Sequence, residues 1–263
     1  MISSPVIELV DFQIGYRSKT DFCSLTSPFS AKLPKGKLIA IVGTNGAGKT
    51  TLIKSLTAQI SYNGSLYFNG KTPKSYSVEQ WAELISLVQT HYQVQAFTNV
   101  FDVIAKGRTV HTNWLGHLSE KDNELIMLSA KKLGVDHLLE RYFNQLSDGE
   151  KQRVLVAMAF AQSSPIMFFD EPTAYLDYPH KFYLTALMKS LCENEDRTIV
   201  FSSHDLEVVT KYADLVLLIA QKQIHLIDTK ALMDASYINL LIEGQDIPEE
   251  FKKELYEHWT KKQ

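Results

Sequence analysis

The sequence predicts an α/β fold: a parallel sheet core sandwiched by helices, an antiparallel β subdomain and an inserted α-helical subdomain. Three observations carry this. The apolar run at 38–42 leads through a glycine-rich loop into a helical stretch starting at Thr51. Strand-like and helix-like segments alternate from Ile166 to Ala220, as they do where helices cross over between parallel strands. Between Gln89 and Gln145 strand-like runs vanish and helical spacing takes over.

In order, residues 6–12 read as a strand with Ile7, Leu9 and Phe12 inward, followed by a turn at Gly15-Tyr16. Residues 38–42 read as a buried strand. The pairs Asn63-Gly64 and Asn69-Gly70 are turn signals around the short run Leu66-Tyr67-Phe68. Helices are expected over 99–106, 120–133 and 135–141, with Ser119 and Asp122 capping the second. Residues 107–118 read as a loop centred on Trp114. Residues 166–169 form a strand, 180–193 a helix with Leu184, Leu187, Met188 and Leu191 on one side, 198–202 a strand, 205–211 a helix and 215–220 a strand. Residues 231–263 read as polar and mostly helical. The expected division is a nucleotide-binding core with the β part over 1–88, the helical subdomain over 89–160, the second part of the core over 161–230 and a short extension over 231–263.

A chain of 263 residues can bury a sizeable core. Its net charge of −3 gives no global reason to expect nucleic acid. Cys23 and Cys192 lack metal-type spacing and read as small core residues in a reducing compartment. The first five residues lack the basic start and apolar stretch of an export signal. The apolar runs are too short to span a bilayer, so a soluble cytoplasmic chain is expected, with any membrane role supplied by a partner.

The loop is Gly43-Thr44-Asn45-Gly46-Ala47-Gly48-Lys49-Thr50, with Thr51 following. Strand, glycine loop and helix together make a phosphate-binding loop (P-loop). Glycines let backbone N–H groups crowd an anion, and the helix N-terminus adds partial positive charge. Lys49 would reach the β- and γ-phosphates, and the Thr50 hydroxyl would ligate magnesium. A second strand, 166–169, delivers Asp170 and Glu171 at its C-terminal edge, where ligands sit in open parallel sheets. Asp170 fits the magnesium-holding carboxylate and Glu171 the base that polarises water. The stretch Leu146-Ser147-Asp148-Gly149-Glu150 contains a capping box, Ser147 with Glu150, opening a helix that runs through Ala161. That helix start could also bind a second face of a nucleotide, through the Ser147 hydroxyl and the Gly149 N–H.

These segments resemble an ATP-binding-cassette (ABC) ATPase over nearly the whole chain, a P-loop NTPase fold of the ABC ATPase type. Residues 43–51 match its Walker A loop, Gln89 its Q-loop, 146–150 its signature, 168–171 its Walker B strand with the catalytic Glu171, 174–177 its D-loop and His204 its switch, in the family's order. The resemblance implies that Gln89, locally a polar strand-end residue, is a metal and water ligand. It makes His204, locally a loop histidine, a γ-phosphate contact that orients water. Tyr16 would stack on adenine, and Asp177 would touch an opposing subunit. It further implies a head-to-tail homodimer with ATP and Mg2+ at the interface. Two residues depart from the usual Leu-Ser-Gly-Gly-Gln signature: Asp148 and Glu150. Asp148 would repel a γ-phosphate unless it points outward from the helix start.

A stand-alone cassette is most similar to an importer subunit, docked on a separate permease at the cytoplasmic face of the membrane and served indirectly by a substrate-binding protein. The alternative is a soluble ABC ATPase, for example in iron–sulfur cluster assembly, or an importer of another substrate. The residues around Gly107-Arg108, Trp114-Leu115-Gly116 and 118–122, the Leu-Ser-Asp-Gly-Glu signature and the run 170–177 are similar to ATPases of iron–siderophore, haem and cobalamin importers. On that analogy, residues 107–118 would dock the permease.

Overall fold

The computed structural model describes residues 5–18, 21–89, 93–112, 116–242, 248 and 250–252. Trp114 lies outside the described residues, as do Met1 to Ser4 and most of 243–263.

The strands are β1 (Pro5–Arg17), β2 (Phe22–Ser24), β3 (Phe29–Pro34), β4 (Leu38–Gly43), β5 (Tyr62–Phe68), β6 (Ile85–Val88), β7 (Ile166–Phe169), β8 (Thr198–Ser202), β9 (Leu215–Ala220) and β10 (Gln223–Asp228). The helices are α1 (Lys49–Leu56), α2 (Val78–Leu84), α3 (Val100–Ala105), α4 (Glu120–Lys132), α5 (Asp148–Gln162), α6 (Tyr178–Glu195), α7 (Leu206–Tyr212) and α8 (Ala235–Ile242). No helix among the described residues is long and apolar enough to cross a membrane.

Two sheets result. In the first, β1 pairs antiparallel with β2, β3 and β5. The second runs β10-β9-β4-β8-β7-β6, all parallel except the edge strand β10. Side chains alternate across a strand, and the second sheet uses both faces. Ala40, Val42, Met167, Phe169, Ile199 and Phe201 belong to a core shared with α3, α4, α5 and α6. Ile39, Ile41, Ile166, Phe168 and Val200 belong to a second core shared with the antiparallel sheet and α1. This is why these strands read as unbroken apolar runs: both faces are covered.

The parallel register decides what meets at the sheet edge. Ile41 lies beside Ser202, Phe169 beside Phe201 and Val88 beside Phe169. The C-terminal ends of β4, β6, β7 and β8 therefore share one edge. Residues distant in sequence, at 43–50, 89, 170–171 and 202–204, converge there.

Several expectations need correction. The turn expected at Gly15-Tyr16 is strand: β1 continues to Arg17 and pairs Gly15 with Ser24 and Tyr16 with Cys23. Asn63-Gly64 is no turn either but lies within β5, opposite a register shift in β1 where Asp11 takes a φ of 48°. Asn69-Gly70 is a true turn, with both φ values positive. Instead of a helix over 135–141 there is a single 3-10 turn, Asp136–Leu138, because the chain has already reversed at Gly134 in the left-handed region. Part of the expected loop at 107–118 is also 3-10, Lys106–His111. Cys23 is exposed on β2 rather than in the core, while Cys192 is buried. The short elements β2, β3, α2 and β10 are too brief for their periodicity to stand out in the sequence, whereas β6 ends just before Gln89, as that residue's strand-end reading expects.

One polar contact ties the helical part together. Arg108, which is buried, donates from Nε to Asp122 Oδ1 at 2.8 Å and from Nη1 to the Ala161 carbonyl at 2.7 Å. Asp122 also closes a capping box with Ser119 at the start of α4. Hydrogen bonds from Ser119, with Arg108 adding its share, hold the Asp122 carboxyl down to about 2.

Candidate functional site

The site is built around the turn from β4 into α1. Gly48 caps α1 with a φ of 106°, a conformation closed to ordinary residues, and a side chain there would also press on Ile14. The turn folds Lys49 back over its own loop. Its ammonium is buried and donates to the carbonyls of Gly43, at 3.0 Å, and Thr44, at 3.1 Å. Burial pushes the Lys49 pKa down, and the nearby Glu171 and Asp170 charges partly offset this.

From β7, Asp170 accepts a hydrogen bond from Thr50 Oγ1 at 2.8 Å and from Ser202 Oγ at 2.7 Å. Glu171 follows in a left-handed backbone conformation, φ 51°, with its N–H donated to Ser202 Oγ at 2.8 Å. Its carboxylate is 2.6 Å from His204 Nε2. The other ring nitrogen, Nδ1, faces the Lys49 ammonium at 3.5 Å. An ammonium only donates, so Nδ1 accepts, and Nε2 carries the proton given to Glu171. Glu171, Ser203 and His204 line a cavity of about 260 Å³ together with Lys181 and Asp205.

The structure thus unites Gly43, Thr44, Lys49, Thr50, Asp170, Glu171 and His204. Asn45, Gly46 and Ala47 complete the same loop, with Asn45 and Gly46 exposed. Buried Thr51, the third residue of α1, shares a 2.9 Å hydrogen bond with the Tyr16 hydroxyl. Tyr16 itself is exposed, so its ring stands open beside the loop helix.

Four assignments lie elsewhere. Gln89 sits at the right edge, one residue beyond β6, but its carboxamide donates to Gln59 Oε1 at 2.8 Å instead of joining Thr50 and Asp170. The Ser147 side chain is taken up by Glu150, to which Ser147 donates from the backbone N–H at 2.8 Å and from the hydroxyl at 2.7 Å, the capping box expected for α5. Gly149 packs on the carbonyl of Tyr175, 3.0 Å from where a Cβ would lie. Asp177 caps α6 and contacts His180, which holds its carboxyl below the usual range. None of these contacts reaches the Lys49 cluster of the same chain. Asp148 is exposed and pairs with Lys151 at 3.2 Å, turned outward from the helix start.

Sequence reasoning missed Ser202, a fully buried hydroxyl that bridges Asp170 and the backbone of Glu171. Only the order of strands, which sets β8 beside β7, could have pointed to it.

The donor set suits a magnesium-bound nucleoside triphosphate. A buried ammonium whose partners are carbonyls and a ring nitrogen is placed to take a phosphate oxygen instead. A hydroxyl and a carboxylate 2.8 Å apart are hard oxygen donors of the kind magnesium takes beside phosphate.

The family described as ABC transporter matches residues 26–174. The petrobactin import ATP-binding protein FpuD of Bacillus anthracis is 34% identical over 195 residues, 74% of this chain and 71% of that protein. The iron(3+)-hydroxamate import ATP-binding protein FhuC of Bacillus subtilis is 30% identical over 201 residues, 76% and 73% of the two chains. A bacterial ABC transporter cassette solved as a dimer superposes with a TM-score of 0.75 at 19% identity, over 85% of this chain and 98% of that one. With the P-loop, the paired carboxylates and these likenesses in one chain, the protein belongs to the ABC transporter family, as an ATP-binding domain that hydrolyses ATP.

Proposed function

We propose that the chain is the ATPase motor of an importer for a metal chelate, working at the cytoplasmic face of a membrane on a separate permease. The observation that carries this is the similarity to relatives named for petrobactin and iron(3+)-hydroxamate import. Within the cargo class, iron–siderophore, haem or cobalamin, the names of these relatives support the first, and the other two rest on the motif resemblance.

In this reading Lys49 and the N–H groups of 43–51 hold the β- and γ-phosphates, and Tyr16 stacks on the adenine. Thr50 and Asp170 hold magnesium, which when bound neutralises phosphate charge. Gln89 joins them once it exchanges Gln59 for that shell. Glu171 accepts the proton of the attacking water, and His204 fixes the Glu171 carboxylate through Nε2. Ser202 holds Asp170 and the Glu171 backbone in place. Ser147 and Gly149 complete the site of a second copy, head to tail, and Asp177 meets that copy. Loss of the γ-phosphate then opens the pair and moves whatever is docked on the helical part.

Two measurements test this. Ser147→Arg places a bulky cation at the opposing helix start. It is expected to leave ATP binding by the monomer within about twofold and to weaken nucleotide-dependent dimerisation by more than about tenfold, read by sedentation-equilibrium ultracentrifugation; unchanged dimerisation refutes the shared site. For the transport assignment, tagged protein carrying Glu171→Gln is captured from detergent-solubilised membranes and its companions identified by mass spectrometry. A polytopic permease in equal amount is expected, whereas soluble cluster-assembly proteins would make the chain a soluble ATPase instead.

A further inference from the structure

Away from the Lys49 cluster, the far end of α1 opens into a groove of about 720 Å³. It is bounded by the loop after α1 (Gln59, Ile60), the start of β5 (Tyr62) and the segment leading into α2 (Tyr76, Trp81). Arg17 and Lys74 line it, no acidic side chain does, and neither cation has an ion pair among the described residues. The aromatic side chains are held rigidly. Tyr62 packs on Phe12 with ring centroids 4.9 Å apart, Trp81 meets Phe68 edge-on at 5.0 Å, and Tyr76 lies 5.7 Å from Trp81. Tyr76 is further fixed by donating its hydroxyl to the Phe68 carbonyl at 2.6 Å. The Trp81 indole N–H and the Tyr62 hydroxyl have no hydrogen-bond partner among the described residues. Fixed rings, free donors and uncompensated positive charge in one cleft match a flat ring system bearing an anionic group.

The groove also touches the catalytic edge. Gln59 lines it, and Gln59 is the residue that holds the Gln89 carboxamide. A ligand seated against Gln59 would lie one hydrogen bond away from Gln89.

We propose that this groove is a second ligand site, for a planar aromatic anion, and that its occupant regulates ATP hydrolysis by way of Gln59 and Gln89. The binding half stands on the groove alone. The regulatory half rests on the metal-shell role proposed above for Gln89.

The test uses 2-naphthoate as probe and the neutral 2-naphthamide as control, with the full chain. Calorimetry gives the affinity, and Trp81 fluorescence, isolated by Trp81→Phe, reports the place. Expected is saturable binding of 2-naphthoate with quenching that Trp81→Phe removes, weaker binding of the amide, and about a tenfold loss of affinity in the Arg17→Ala, Lys74→Ala double variant. Lys74 lies exposed on a 3-10 turn, so Lys74→Ala alone keeps the test valid if the double variant misfolds. No binding up to about 5 mM, or equal affinity in the charge variants, overturns the site. Steady-state ATPase rates with and without probe test the coupling. A probe-dependent change that Gln59→Ala abolishes while binding persists supports it; binding with no change of rate overturns the coupling and leaves the site standing. Since binding is read without turnover, a failed groove and a failed assignment of Gln89 give different results.

Discussion

Glu171→Gln is expected to bind ATP within about twofold of the parent and to hydrolyse it on the order of 10²–10⁴ times more slowly, the usual worth of a positioned general base. The substitution is close to isosteric and leaves in place what fixes the residue, since the Glu171 N–H still reaches Ser202 Oγ. The side-chain oxygen that faces His204 Nε2 remains an acceptor. What is lost is basicity alone. Because Lys49, Thr50 and Asp170 are untouched, nucleotide affinity measured by equilibrium binding should hold while single-turnover hydrolysis collapses. Hydrolysis within about tenfold of the parent would remove Glu171 from the role of base and leave it a holder of His204.

Arg108→Ala is expected to destabilise the fold by about 3–5 kcal/mol, the cost of stripping one partner from a buried ion pair. The Asp122 carboxylate would be left without its guanidinium, and the Ala161 carbonyl would lose a donor. Arg108→Lys should recover only part of this, because an ammonium cannot reproduce the fork that reaches both groups. The sign of the pH dependence follows from Asp122. Its folded-state value of about 2 lies below the ordinary 3.8, so the stabilisation is present above about pH 4 and is lost as pH falls toward 2. Chemical denaturation at neutral pH compares the variants, and a midpoint within error of the parent for Arg108→Ala would show the pair to be idle. A parallel loss of ATP affinity is not expected, since Arg108 joins the 3-10 turn to α4 and α5 and not to the Lys49 loop.

Much of the site was legible without coordinates because local spacing encodes it. Gly43 to Thr50 form a loop whose geometry depends on adjacent residues, and Asp170-Glu171 end a run apolar enough to be seen as a strand. The Ser147–Glu150 capping box is likewise local, and it occurs as the spacing requires. Where local signals misled, long-range pairing had intervened. Gly15 and Asn63-Gly64 carry turn chemistry, but the partners β2 and β1 draw them into strands. Gly134 ends α4 so abruptly that Val135, Leu138 and Leu139 cannot extend it.

The sequence by itself determined the glycine-rich loop of phosphate-binding type at 43–50 and the paired carboxylates at 170–171, because a strand, a tight turn and a helix start are properties of consecutive residues. Only the tertiary structure decided that Ser202 braces both carboxylate positions, that His204 links Glu171 to Lys49, and that Gln89 rests on Gln59. Those contacts join segments 30 to 155 positions apart. They exist because parallel strands brought together by burial of both sheet faces end on one edge, and strand order is a property of the whole chain's packing rather than of any window within it.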